Sequence, residues 1–167
     1  AGHGGAGSGN QRGNVGGITY GSSNSPIDAG SAGGDGAAYT GGGHGGGVVW
    51  LTVLERATVD GTISANGWRP IEQNPINGYA CGGGSGGSIW ITTPRFFGTG
   101  WLKADGGDAG SYVVPPRGPG GGGGGRIAVW RTTLTTCSTS VTGGVGFAQA
   151  GAGTVVWGYV PAAGPII

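Results

Sequence analysis

Carboxylates are the side chains in this sequence that could carry acid–base chemistry. Hydrolysis of a glycosidic bond needs two carboxyl groups that converge on one cleft. The acids are spread along the chain: Asp28, Asp35, Glu55, Asp60, Glu72, Asp105 and Asp108. Asp60 and Asp105 each precede a glycine, which is typical of an Asp-Gly turn, and they occupy unlike positions in the repeats described below. We therefore predict that the chain is not an enzyme and has no catalytic residues.

Histidines and glycine runs could instead hold a metal ion or a phosphate. His3 and His44 share the sequence Gly-His-Gly-Gly, but neither has the cluster of further ligands that a metal site needs. Their setting favours histidines that hydrogen-bond within loops. The run at residues 120–125 leads into Arg126 rather than into the Lys-Ser/Thr pair and helix of a phosphate-binding loop. We expect no metal, nucleotide or other cofactor.

Glycine dominates the composition, with 46 of 167 residues. Glycine loses more backbone entropy on folding than any other residue, about 1 kcal/mol relative to alanine in a regular element. An ordered chain of this kind needs close main-chain hydrogen bonding, stacked repeats, a disulfide or contacts with other subunits. Charged residues make up 9% and the net charge is +1, so the chain lacks the basic surface that nucleic acid would require. No apolar run approaches the roughly 18–20 residues of a membrane span.

Two cysteines, Cys81 and Cys137, are too few for a disulfide scaffold and lack the spacing of a zinc site. A single bridge between distant loops is the interpretation that we favour, and two buried thiols are the alternative. Low charge, the absence of methionine and many Ser, Thr and Gly residues favour an extracellular or cell-surface protein.

Internal repetition is the strongest pattern in the sequence. Glycine runs turn abruptly apolar at residues 41–51, 82–91, 120–130 and, more weakly, 151–159. A second strand is predicted after each of the first three, at residues 57–67, 97–107 and 138–146. Corresponding points lie about forty residues apart in the first two units, so Val48 aligns with Ser88 and Gly61 with Gly100.

These units predict an all-β fold of stacked strand repeats, a parallel β-helix or solenoid with long Gly-rich loops. β-Branched and aromatic residues fill the strands, and no stretch has a helical period. The strand cores are continuous apolar runs, which predicts cover on both faces by the other strands, by the glycine loops or by an adjacent subunit. We expect one domain, with an irregular part at residues 1–40 that holds a short strand at 16–22, strand repeats at 41–159 and an apolar tail at 160–167.

The order of these motifs resembles a glycine-rich β-repeat of very large secreted and cell-surface proteins in bacteria and eukaryotes. The similarity covers nearly the whole chain and rests on AGHGG at 1–5, VDGTISANG at 59–67, GGSGGSIWI at 83–91, GGGGRIA at 122–128 and GAGTVV at 151–156. The resemblance implies a parallel β-helix-like unit in an extracellular architectural or adhesive protein, with no catalytic residues to carry over. The chain departs from it at residues 68–81, rich in Trp, Pro and Asn, and at the Thr/Ser-rich residues 132–140.

Tryptophan is the aromatic residue with the most informative placement. The predicted strands hold Trp50, Trp90, Trp101, Trp130 and Trp157. Packing in a core or interface, as a stacked ladder, is one interpretation, and an exposed row that binds sugars is the other. For glycan contact we single out Trp68, Arg69 and Tyr79, which lie in a predicted loop.

Taken as a whole, the sequence predicts a structural subunit of an extracellular filament, appendage or surface layer that self-assembles into a homo-polymer. Terminal units of a stacked repeat need caps or partners because each unit buries its faces against its neighbours. The predicted self-contacts are Val160, Pro161, Pro165, Ile166 and Ile167. The alternative is a glycan-binding adhesin or a phage-tail-type receptor-binding module. Ice binding by a flat Thr/Gly face is a third class, but a regular Thr-x-Thr ladder is missing.

Overall fold

The computed structural model describes residues 1–10, 13–36, 41–71, 81–110, 118–133 and 135–160. Nine β-strands and no helix occur within these ranges, which confirms the predicted all-β class. The strands are β1 (Val48–Thr52), β2 (Arg56–Thr58), β3 (Thr62–Ser64), β4 (Ser88–Thr92), β5 (Arg95–Phe97), β6 (Trp101–Lys103), β7 (Arg126–Arg131), β8 (Ser138–Ser140) and β9 (Thr154–Tyr159).

The described strands form three parallel sheets, with orders β1-β4-β7-β9, β2-β5 and β3-β6-β8. Consecutive strands therefore belong to different sheets, and each pairs with its equivalent in the next repeat. We call β1–β3 the first layer, β4–β6 the second, β7 and β8 the third, and β9 the fourth. Val48 pairs with Ser88, and Trp101 N donates to the carbonyl of Gly61, so the predicted forty-residue alignment is confirmed.

The local structure corrects two predictions. The second strand predicted in each of the first two units is two short strands, β2 and β3 or β5 and β6, separated by three residues. In the second unit the break contains Gly98, whose φ of 121° favours glycine and ends the extended run. The short strand predicted at residues 16–22 does not form, because its backbone bonds go to loop residues, as in the bond from Gly7 N to Gly17 O.

Inward side chains from all three sheets meet in one apolar core. Phe96 of β5 lies edge-on to Trp157 of β9, with ring centroids 5.7 Å apart. Each fully buried side chain of this size contributes about 1.5–3 kcal/mol relative to an exposed one. The buried members of the core are Ala65, Ile89, Ile91, Phe96, Leu102, Ala104, Ile127 and Val129.

Part of the N-terminal region covers the outer face of β4 and β7. Ser88 Oγ donates to Asp28 O at 2.6 Å, and Arg126 Nη2 donates to Tyr20 O at 2.8 Å. Both Ser88 and Arg126 are consequently buried. Cover on both faces, predicted from the apolar runs, is confirmed for these two strands.

Among the described residues, β1 lacks this cover, and its cover by an adjacent subunit stays a prediction. Four of its five residues are exposed and Val49 is half-buried. The physical reason is its place at the edge of its sheet, where β4 pairs with one side and none of the described strands pairs with the other.

The glycine run at residues 82–87 is ordered by hydrogen bonds that change partner with a three-residue period. Gly82 and Ser85 donate to residues 34 and 31, Gly83 and Gly86 to residues 120 and 123, and Gly84 and Gly87 to residues 68 and 65. A period of three residues, with every bond directed to a neighbouring segment, is like that of polyproline II. A Cβ on Gly83 or Gly86 would lie 1.9 or 2.1 Å from a neighbouring carbonyl oxygen. Close main-chain packing of this kind offsets the entropy cost of glycine.

Candidate assembly surface

Acidic side chains among the described residues accept hydrogen bonds that tie one layer to the next. Asp105 Oδ1 accepts from Ser140 Oγ at 2.5 Å and from Thr142 N at 2.8 Å. Asp108 Oδ1 accepts from Val145 N at 2.7 Å. These bonds hold carboxylates in structural positions beside backbone N–H groups. Glu72 lies outside the described residues.

The two histidines have different surroundings despite their shared local sequence. His3 is fully buried, and its Nδ1 lies 2.9 Å from Gly86 O. Burial is the main cause that lowers the pKa of His3, so the neutral ring with Nδ1 as donor is the favoured form at pH 7. His44 is exposed. Among the described residues, no group of three or more His, Cys, Asp or Glu side chains could hold a metal ion.

The disulfide predicted between Cys81 and Cys137 is not formed. Cys81 is buried in the glycine-rich part, where its Sγ accepts a hydrogen bond from Gly36 N at 3.1 Å. Cys137 is half-buried against the apolar core, directly before β8, and burial raises the pKa of its thiol. The two sulfurs thus belong to different parts of the fold, and the alternative of two thiols describes the structure better.

The first layer presents sheet edges at one end of the stack, since β1, β2 and β3 each end the order of their own sheet. Ser88 N donates to Gly47 O, and Val53 N donates to Thr92 O. Because N–H and C=O groups alternate sides along a strand, the corresponding groups of Val48, Trp50 and Thr52 point away from β4. Such an edge is a template for pairing with another strand.

Large apolar side chains accompany this open edge. The exposed fractions are 60% for Trp50, 86% for Leu54, 41% for Val48 and 38% for Leu51. Ile91, which pairs with Leu51 one layer up, is fully buried. Ile91 has the first layer beneath it, whereas no described strand lies beneath Leu51, and this explains why only Leu51 is exposed. We define the assembly surface as these four side chains with the free edges of β1–β3. The sequence predicted that the open first repeat makes contacts but named none of these four residues, although their place at 48–54 in the first repeat was the available signal.

The tryptophans divide between the core and the surface. Trp157 packs in the core against Phe96, with the Arg131 guanidinium 4.6 Å from its ring centroid. Trp50 and Trp90 stack with centroids 5.0 Å apart and planes 10° apart. This stacked pair lies on the outer face of the sheet, whereas the predicted ladder was internal.

The residues singled out for glycan contact are only partly placed by the structure. Trp68 is 66% exposed. Arg69 lines a shallow groove of about 340 Å³ together with Asp108, Val145 and Phe147. Tyr79 lies outside the described residues.

The predicted self-contact residues follow β9 at the other end of the stack. Val160 N donates to Arg131 O at 2.9 Å, and its side chain is 41% exposed. Pro161, Pro165, Ile166 and Ile167 lie outside the described residues. Their part in self-contact stays a prediction.

The chain matches no family model, no curated protein and no solved structure. Within the described ranges, no helix is long and apolar enough to cross a membrane.

Proposed function

We propose that this chain is a structural subunit of an extracellular filament, appendage or surface layer, and that it acts by binding copies of itself rather than by catalysis. The observation that carries the proposal is the assembly surface. It combines open strand edges with exposed apolar side chains at the same end of the stack. Burying both in a subunit contact would satisfy backbone groups and remove apolar surface from water.

We further propose that the stacked layers are a parallel β-helix flanked by the glycine runs. Three parallel sheets support this proposal, because the first two layers each give one strand to every sheet and the inward side chains share one core. In a repeat of this type a terminal layer needs a cap or a partner. An extracellular location agrees with the 9% of charged residues and the absence of methionine.

Concentration-dependent assembly of the purified chain tests the proposed function. We expect sedimentation to show growing oligomers and electron microscopy to show filaments. Replacing Leu51 by lysine should suppress assembly, since charge at an edge strand opposes edge pairing, while circular dichroism stays unchanged. Val15, which is 92% exposed in the N-terminal region, gives the matched control Val15→Lys. A wild-type chain that remains monomeric up to millimolar concentration contradicts the proposal.

Glycan binding is the second candidate function. The groove beside Arg69 favours it, because Phe147 offers an apolar ring face and Asp108 an acceptor within one concave surface. A glycan array with the monomeric Leu51→Lys variant should then show selective binding that Phe147→Ala abolishes. Binding that survives this substitution, or none above background, rules the groove out.

A further inference from the structure

A column of glycines precedes the strands of the largest sheet: Gly47, Gly87, Gly125 and Gly153. The last three are each close to the carbonyl oxygen of the glycine one layer below. A Cβ on Gly87 would lie 1.9 Å from Gly47 O, one on Gly125 2.1 Å from Gly87 O, and one on Gly153 1.8 Å from Gly125 O. Contacts under 3.0 Å essentially never occur for a real Cβ, so these three positions require glycine because a layer lies beneath them.

Gly47, at the bottom of the column, has no such reason among the residues that the structure describes. A Cβ there would meet no described atom within 4 Å, and its φ is not in the left-handed region. A second, shorter column starts at Gly61: a Cβ on its equivalent Gly100 would lie 2.1 Å from Gly61 O, while one on Gly61 would meet nothing described, and the register of β6 with β8 places Cys137 above Gly100. Gly47 costs backbone entropy, and no contact among the described residues requires glycine there. We infer that another layer packs beneath the first layer and needs the close approach at Gly47.

The hydrogen bonds of the same column identify what the missing layer must offer. Ser88 N donates to Gly47 O at 3.0 Å, Arg126 N to Gly87 O at 2.9 Å and Thr154 N to Gly125 O at 3.1 Å. Each layer thus donates the N–H of its first strand residue to the glycine carbonyl below. By the same pattern, Val48 N–H is the donor at the bottom of the stack, and the Gly153 carbonyl is the acceptor position at the top.

The chain's own top layer supplies that acceptor, so we propose that the layer beneath β1 is β9 of a second copy. Val48 N–H of one copy donates to Gly153 O of the next, and the sheet continues in parallel. This inference rests on the proposed self-assembly and specifies its contact. Because the two surfaces differ, the contact is head-to-tail, and repeating it produces an open filament.

Side-chain placement agrees with this register. Val49 and Leu51 would lie over Val155 and Trp157 of the second copy, in the positions that Ile89 and Ile91 take over Val49 and Leu51 within the chain. Val49, Val155 and Trp157 already pack against the core, and Leu51 pairs with the core residue Ile91. Leu51, now 38% exposed, would then be enclosed as Ile91 is.

His44 limits how far the close approach extends. It occupies the position of Gly84 in the second layer, where a Cβ would lie 2.0 Å from His44 O. A histidine in the bottom layer therefore requires wider spacing beneath it. The close contact is accordingly confined to the strand side of the layer, near Gly47.

Alanine at position 47 tests the inference without disturbing the fold, because its Cβ meets no described atom of the same chain. We expect Gly47→Ala to raise the critical concentration for assembly by roughly 5- to 150-fold, since overpacking of this size costs on the order of one to three kcal/mol. Gly34→Ala, at a glycine with equally open surroundings, should leave it unchanged. If the wild type assembles and Gly47→Ala assembles equally well, or if Gly34→Ala fails equally, this inference is wrong while self-assembly stands. If the wild type never assembles, the proposed function itself is wrong.

A cross-link provides a second, positive test. Trp50 of one copy should lie beside Val156 of the next, whereas within a chain three strand spacings, about 14 Å, separate them. The Trp50→Cys, Val156→Cys double variant should therefore give a ladder of covalent oligomers on oxidation. A disulfide cannot span the intrachain distance. A double variant that assembles but stays monomeric on a denaturing gel would overturn the register.

Discussion

Replacing Gly86 by alanine should severely destabilise the fold, because the new Cβ would lie 2.1 Å from Ala104 O and 2.6 Å from Gly125 N. Reaching the 3.0 Å limit requires these segments to move apart by about 0.9 Å. Gly86 N now donates to Gly123 O at 2.9 Å, so such a shift would break this bond. A lost hydrogen bond costs about 0.5–1.5 kcal/mol and overpacking about 1–3 kcal/mol. We expect a total of roughly 2–4 kcal/mol, which lowers the Tm of a chain this size by roughly 4–16 °C.

Urea unfolding followed by tryptophan fluorescence measures this loss, at concentrations below assembly. The matched control is Gly34→Ala, where a Cβ meets no described atom within 4 Å. Its stability should stay within about 1 kcal/mol of the wild type, or rise slightly through reduced entropy of the unfolded chain. Equal destabilisation by the two substitutions would refute the reasoning, because it would mean that the packing of residues 82–87 is not what requires glycine.

Three further predictions concern buried side chains. Phe96→Ala should cost about 3–5 kcal/mol in urea unfolding, since Phe96 is fully buried; a loss below 1 kcal/mol would contradict the placement of the core. Burial lowers the pKa of His3 in the folded state, so the unfolded chain takes up a proton first, near pH 6.5. The contribution of His3 to the free energy of unfolding should therefore be fully present above that pH and should decrease as the pH falls towards the pKa of His3 in the folded state. Unfolding at pH 8 and pH 5 measures this. His3→Gln should reduce the difference in unfolding free energy between the two pH values, and an unchanged difference in this variant would contradict the assignment. Finally, a reducing agent should leave the Tm unchanged, and both Cys81 and Cys137 should react with a thiol reagent after unfolding. A lower Tm in the presence of the reducing agent would instead show that the two cysteines form a disulfide.

The repeat register could be predicted from the sequence because each strand of the largest sheet follows glycine and contains a run of apolar residues. Val48 and Ser88 align by counting from their glycine runs, and the structure pairs them. The corners could not be predicted in the same way. The break at Gly98 depends on a left-handed backbone angle, which a glycine-rich sequence does not distinguish from any other glycine position.

The contacts of the N-terminal region and the packing of the glycine runs could not be predicted from the sequence, for a different reason. Arg126 binds Tyr20 O across 106 residues, and no local periodicity indicates such a contact. Within residues 82–87 successive residues face different neighbours, although most carry the same residue type. The open first repeat was expected to make contacts, but the residues of the assembly surface were not identified, because an apolar run has the same appearance in a covered strand and in an edge strand. Only the layer order separates Leu51 from Ile91.

Electron cryomicroscopy of assembled material tests the central claim, that the sheet continues from β9 of one copy into β1 of the next. Four strands at roughly 4.8 Å spacing predict a rise of about 19 Å per subunit along the filament, with strands perpendicular to the axis. A reconstruction with this rise and with Val48 beside Thr154 of the neighbouring subunit would bear out the account. Filaments joined through other surfaces, with β1 still exposed, would contradict it.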